Sequence, residues 1–356
     1  MIAGIAPSFS QFFFPSIFPI LAFGNCDKFH IEAQLLTFVH REELIVHVRE
    51  TLARAGFYVS KPLNMRSVSF DLAARRDKTL LIIKILSNVD AFAKESAEEM
   101  KTLAEALQAS PLMIGERSGS GEIEEGIVYS RFNVPIISLQ TLNDHLLEGV
   151  PPFIFAAPGG LYVKLDSQVL KRIREEKGMS LGNLAEVAGV SRRTIQMYEG
   201  GMGAMIEVAL RLEDFLKQPL VVPVDPFECK QEERERYYEL KAPDTFSRQI
   251  FEKLVALGYS VVPTSKAPFE ALTKDHTVLI LTGIGQDESK LREKALAVSD
   301  LSKVTERGSV IFIERIKSKE CMEGTALVGR DELKKLDETE KLFDLVAHRS
   351  EHHAKR

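Results

Sequence analysis

Apolar positions set the first division of the chain. Residues 44–52 carry them at helical spacing, and Ala55-Gly56-Phe57-Tyr58-Val59 then reads as a helix stop running into a strand. The same succession returns late in the chain, with a helix over 246–256 and Leu257-Gly258-Tyr259-Ser260-Val261 as stop and strand. Ser69-Phe70-Asp71-Leu72 corresponds to Pro268-Phe269-Glu270-Ala271, and each is followed by a polar turn (75–78, 274–276) and an apolar strand (80–86, 278–284). A charged helical stretch (92–109, 288–302) leads in each to a further strand (112–114, 310–313). Each closes on a short strand and a helix, 135–138 with 142–147 and 326–328 with 332–336. The order α-β-β-β-α-β, met twice, predicts two diverged copies of one α/β layer structure.

Between the copies the rhythm is purely helical. Breaker residues bracket this centre, Pro151-Pro152 and Ala157-Pro158-Gly159-Gly160 before it and Pro219, Pro223 and Pro226 after it, so linkers are expected there. The chain divides accordingly into an apolar leader (1–38), an α/β domain (39–150), an all-α domain (161–218), a second α/β domain (227–347) and a basic tail (348–356).

The centre carries the sharpest signal. Val169, Leu170 and Ile173 line one face of a first helix, Asp166 or Ser167 caps its start and Gly178 ends it. Ser180 is the N-cap of a second helix over 181–188, and Ser191 that of a third. Leu184, Ala188, Val190, Ile195 and Tyr198 fall on inward positions, Ala185 is small where two helices cross, and Gly189 sits where the turn needs positive φ. Arg192, Arg193, Gln196 and Met197 are expected to share the outward face of the third helix. Such a face suits the major groove of duplex DNA. Arg192 or Arg193 can donate two hydrogen bonds to guanine, worth about 1–3 kcal/mol of base discrimination, and Gln196 can face adenine or a phosphate. Ser191, Thr194, Arg172 and Lys177, with Ser180 and the amides at the start of the second helix, are candidates for phosphates. The plainer alternative is a basic helical insert that contacts protein.

The stretches LKRIREEKGMSLGNLAEVAGVS and RRTIQMYEGG resemble the Cro/CI (XRE-type) helix-turn-helix. That resemblance implies that Arg174 and Glu199 form a structural pair fixing helix orientation. Where the family often has Gln near the start of helix two, this chain has Leu181-Gly182, which removes a phosphate contact. The layout from His40 to about Ala347 resembles an archaeal family of Cro/CI-type transcriptional regulators, and implies sequence-specific binding of double-stranded DNA. A homodimer is expected, since one recognition helix reads too few base pairs. An effector or a partner in the transcription machinery remains open.

The α/β flanks resemble the restriction-endonuclease superfamily, whose site pairs an Asp with Glu/Asp-x-Lys on the next strand. Asp71 and Lys84 fit, but Ile82 holds the position of the second carboxylate that Mg²⁺ requires. In the second copy Glu270 aligns with Asp71, while Leu281 and Gly283 replace the ligand and the Lys. Both copies are therefore read as catalytically empty: no enzyme, no cofactor, no metal, Asp71 a turn cap and Lys84 an edge-strand residue. A nuclease-derived enzyme and an adaptor are the alternatives. Gly283-x-Gly285 reads as a turn, and Gly119–Gly121 as a flexible loop.

Composition narrows this little. A net charge of −5 over 356 residues does not bear on DNA binding, which needs only a basic docking surface. Three dispersed cysteines fit a reducing cytoplasm and form no zinc pattern. His348, His352 and His353 are read as part of a solvated tail. The proline-broken apolar run at Phe12–Phe14, Ile17, Phe18 and Ile20–Phe23 lacks a charged n-region and is short for a membrane helix. A mis-assigned translation start, a weak anchor and a packing segment all remain open for it.

Overall fold

The computed structural model describes residues 25–63, 65, 68–228, 242, 244–276, 278–285, 288–314 and 320–354, with backbone alone for 25–39, 288–289 and 351–354. The chain divides into two units, 1–40 and 41–356. Of the first only a helical backbone from Asn25 is described, so the apolar leader and its three readings lie outside the described residues. The second unit carries both sheets of the described chain.

The first α/β half is built from α1 (Asn25–Arg54), β1 (Tyr58–Val59), β2 (Leu72–Arg76), β3 (Thr79–Asn88), α2 (Lys94–Leu107), β4 (Ser110–Ser118), β5 (Gly121–Glu122), β6 (Ile127–Arg131), β7 (Val134–Ile137) and α3 (Leu139–Asn143). Its sheet has the order β1-β2-β3-β4-β7-β6. β1, β2 and β3 pair antiparallel, β3–β4 and β4–β7 parallel, and β6–β7 antiparallel. β3 is central because it is apolar on both faces. Leu81, Ile83 and Ile85 pack on Leu44, Ile45, Val48 and Leu52 of α1, while Leu80 and Ile82 turn to Met100, Leu103 and Leu107 of α2. Lys84 thus stands on an interior strand, not on an edge. The SerGlySerGly segment is no loose loop but the tight end of the β4–β5 hairpin, where Ser118 pairs with Gly121.

A small body follows, made of β8 (Ile154–Ala157), β9 (Gly160–Leu165), α4 (Ser167–Glu176), α5 (Leu181–Ala188), α6 (Arg192–Glu199), β10 (Ala204–Met205), α7 (Ile206–Leu216) and β11 (Val221–Val222). Two expectations are corrected here. The stretch read as a linker from its prolines is a hairpin: Pro158-Gly159 is the turn, and Ala157 pairs with Gly160. β8 lies parallel to β6, with Ile127 opposite Ile154, so the first sheet runs on into this body. Nor is the body all-α, because β9 is flanked by β10 and β11 and buries Val163 and Leu165 in the helical core. The entering and leaving chain meet where Val224 N–H donates to the Pro152 carbonyl at 2.8 Å.

The second α/β half comprises α8 (Thr245–Ala256), β12 (Ser260–Pro263), β13 (Ala271–Lys274), β14 (Leu279–Gly285), α9 (Glu288–Thr305), β15 (Gly308–Ile313), β16 (Cys321–Met322), β17 (Thr325–Gly329), α10 (Arg330–Lys335) and α11 (Thr339–Ala354). Its sheet runs β12-β13-β14-β15-β17-β16, with antiparallel and parallel pairings in the same succession as in the first. Gly283 is no turn residue. It lies inside β14, where a Cβ would stand 2.8 Å from Ile311 Cγ1 of the next strand. From His348 to Ala354 the backbone continues as the last turns of α11, with His348 exposed. Arg349 anchors them by donating to the Leu327 carbonyl and to Glu332, whose carboxyl is held below its usual range chiefly by that hydrogen bond.

The halves share one core. Val262, Phe269, Leu272, Leu281, Val298 and Leu301 join the α2-side cluster of the first half. Polar contacts frame the seam: Ser69 N–H to the Lys266 carbonyl at 2.8 Å, Arg75 to Glu306 at 2.7 Å and Ser265 N–H to Glu99 at 2.8 Å. No helix among the described residues is long and apolar enough to cross a membrane.

Candidate nucleic-acid interface

The site is a stack of short capped helices. The Asp166 carboxylate accepts from Val169 N–H at 2.9 Å to start α4. Ser180 starts α5 through a capping box, its Oγ accepting from Asn183 N–H at 3.1 Å while the Asn183 carbonyl oxygen accepts from Ser180 N–H at 3.2 Å. Ser191 starts α6, accepting from Thr194 N–H at 3.1 Å, and its hydroxyl lies 2.8 Å from that of Thr194. Between α5 and α6 the chain turns at Gly189 with φ +68°. A left-handed residue with a Cβ costs about 1–2 kcal/mol, so Gly189→Ala is expected to lower local stability by that amount. Hydrogen exchange of the α5 and α6 amides measures it, and an unchanged exchange rate would contradict it.

Two arginines tie the helices of this body to one another. Arg174 of α4 grips Glu199 with two bonds, Nε–Oε1 at 2.5 Å and Nη2–Oε2 at 3.0 Å, and donates from Nη1 to the Met179 carbonyl at 3.1 Å. The side chains are 13% and 9% exposed, so the pair is largely out of water. The Glu199 carboxylate raises the Arg174 pKa further above its ordinary value. Arg211 of α7 donates through Nε and Nη2 to the Ala188 carbonyl at 3.0 and 2.7 Å, closing the C-terminus of α5. Neither Arg211 nor the Asn183 half of the capping box is among the sequence-predicted residues. Ser-x-x-Asn was a readable signal for the second; Arg211, an ordinary basic residue on a later helix, gives none.

The structure brings the expected outward residues together, with one exception. Ile195 and Tyr198 are buried, and Arg193, Gln196 and Met197 are exposed on the opposite side, Met197 at 44%. At about 100° per residue, Arg193 lies roughly 170° from the buried direction and Arg192 only roughly 90° from it. Arg192 therefore borders the face and does not share its centre. Thr194 is half-buried, and Arg172 and Lys177 are exposed on and after α4, Arg172 near Glu176 at 3.9 Å.

The nuclease-like positions are occupied by cations from the chain itself. Asp71, 1% exposed, accepts from Ile85 N–H at 2.7 Å, from Lys84 Nζ at 3.1 Å and from Arg41 Nη2 at 2.7 Å. It does more than cap a turn. Burial pushes the Lys84 ammonium pKa down, against the opposing pull of Asp71. In the second half Glu270 accepts from Ile284 N–H at 2.6 Å. Gly283 offers no side chain there, and Lys294 reaches over from α9, 2.5 Å from the Glu270 carboxylate and 2.7 Å from the Ile284 carbonyl. Arg41 makes the equivalent pair of contacts in the first half, reaching the Ile85 carbonyl at 3.2 Å. Ile82 and Leu281 are buried apolar residues where a second carboxylate would stand. Among the described residues no cluster of three or more His, Cys, Asp or Glu side chains could hold a metal ion.

A capped three-helix stack, a glycine turn and a basic exposed helix define the helix-turn-helix class. Residues 170–222 match a model described as "Helix-turn-helix", and residues 41–152 one described as "PD-(D/E)XK superfamily domain". The chain is 40% identical over 320 residues to a "Putative HTH-type transcriptional regulatory protein" of Methanococcoides burtonii, covering 88% of this chain and 98% of that protein. Proteins of the same name match from Halorubrum lacusprofundi, 41% identical over 315 residues (87% and 98% of the two chains), and from Methanosarcina mazei, 38% over 323 residues (88% and 99%). The chain belongs to this archaeal family of HTH-type transcriptional regulatory proteins. No solved structure matches it.

Proposed function

We propose that this DNA-binding transcriptional regulator lays α6 in the major groove of duplex DNA, with Arg193, Gln196 and Met197 toward the base edges. Ser180, Ser191, Thr194, Arg172 and Lys177 flank the helix toward phosphates, which set its register without reading sequence. The carrying observation is the bidentate Arg174–Glu199 pair, which spends a buried ion pair on the angle of one exposed helix. A protein-contact helix would have little need of so fixed an orientation. Two chains acting as a homodimer would double the reading length.

The second α/β half is read as a diverged copy of the nuclease-like first half. Its support is the shared strand order and the matched carboxylates, Asp71 and Glu270, each tied to a strand amide and to a helix cation. A binding role without catalysis is our reading for both, since each carboxylate is paired with a cation and no metal-holding cluster stands beside it among the described residues. Such a protein works in the cytoplasm with its DNA. The test is selection from a pool of randomised duplexes at two salt concentrations. Enrichment of particular sequences, lost in Arg193→Ala and weakened by salt, is expected. Equal, weak retention of all duplexes by both proteins would favour the adaptor reading.

A further inference from the structure

The two arginines at the start of α6 are not equivalent, and the difference lies in Gly182. This glycine is the second residue of α5, next to the Ser180–Asn183 cap. A Cβ built on it would stand 2.8 Å from Arg192 Nε, 3.1 Å from Nη2 and 3.2 Å from Cζ. These distances place the Nε–Nη2 side of the Arg192 guanidinium against the bare backbone of α5. The φ of Gly182 is not in the left-handed region, so the turn itself does not call for glycine. What the missing side chain provides is room. Among the described residues no carboxylate or carbonyl engages Arg192, and its side chain is exposed. The exposed guanidinium thus sits at the rim of the helix pair, away from the outward centre that Arg193 holds.

Resting on the DNA-reading function above, we propose that Arg192 is a phosphate-binding, positioning residue and that base discrimination at the start of α6 belongs to Arg193. A guanidinium packed against bare backbone is held in a restricted place, and its fork of donors matches a phosphate's paired oxygens. Seated over α5, it meets the nucleic-acid backbone where that helix begins, while the groove floor is reached from the outward centre of α6. Leu181-Gly182 therefore does not leave the second helix without a phosphate contact: the third helix lends it one. Gly182 is part of the device, because any side chain there displaces the guanidinium.

Binding of randomised duplexes by the full chain, with its salt dependence, tests this for the natural protein and for Arg192→Ala, Arg193→Ala and Gly182→Ala. Arg192→Ala is expected to weaken all sequences by one common factor, on the order of tenfold at low salt. Its log–log salt slope should shrink by about 0.9, one phosphate's share, with the preferred sequence unchanged. Gly182→Ala suits helix geometry and should reproduce that loss with Arg192 still present. Arg193→Ala should instead flatten preference at one base pair. A base preference lost in Arg192→Ala overturns the assignment, as does a Gly182→Ala protein with the natural affinity and slope. A natural protein that retains no duplex overturns this assignment and the function together. One that retains all duplexes equally, with the slope still reduced in Arg192→Ala, overturns sequence reading alone and supports the phosphate contact.

Discussion

Glu199→Ala should loosen the helix-turn-helix by about 2–4 kcal/mol, between the values for exposed and fully buried ion pairs. The substitution removes both oxygens that hold Arg174 and leaves a guanidinium, 13% exposed, with the Met179 carbonyl as its remaining main-chain acceptor. At about 1.4 kcal/mol per factor of ten, amides of α4 and α6 should exchange roughly thirty- to several-hundred-fold faster. DNA affinity should fall with them, although Glu199 does not lie on the exposed face. Arg174→Met alone should cost a similar amount, because it strands a carboxylate only 9% exposed, and the double variant Arg174→Met/Glu199→Leu should recover much of the loss. Exchange within about threefold of natural in Glu199→Ala would show the pair to be unimportant, and strict additivity in the double variant would show the two residues to act apart.

The second large effect is expected at Asp71. Asp71→Ala leaves the Ile85 amide, Lys84 and Arg41 without their shared acceptor. Breaking a buried charge cluster on one side costs about 3–5 kcal/mol. The variant should therefore melt earlier, with the β2–β3 hairpin most exposed to exchange, and incubation of either protein with DNA and Mg²⁺ should give no cleavage. An active nuclease predicts the reverse, because catalytic carboxylates are held at a cost to stability. Mg²⁺-dependent cleavage by the natural protein, lost in a variant of equal or greater stability, would overturn the non-catalytic reading.

How much of this was legible in the sequence depends on how local each determinant is. The caps at Ser180 and Ser191 and the glycine turn at Gly189 involve residues within a few positions of one another, and pattern alone places them. The Asp71–Ile82–Lys84 register was equally readable, since strands alternate with a strict period. Arg41 and Lys294 were not: each reaches its carboxylate from a helix that no spacing rule connects to it. The prolines at 151–158 misled because a breaker residue marks a hairpin turn as readily as a linker. Phe269 and Val298 look like ordinary core residues of their own half, so nothing in the pattern reveals that they also close the seam with the other half. For Arg192, helical periodicity groups it with its exposed neighbours, and only the absent side chain at Gly182 sets it apart.

The contact between Val224 and Pro152 bears on how such a chain is put together. Entry and exit of the DNA-reading body lie one hydrogen bond apart, the arrangement in which one domain can sit inside another without straining its host. Excising it and bridging those two residues with a short turn would remove β8 to β11 and leave two sheets of identical strand order side by side. In architectural terms the helix-turn-helix body is an insert between two α/β halves, and its ends meet at Pro152 and Val224, outside the helices themselves.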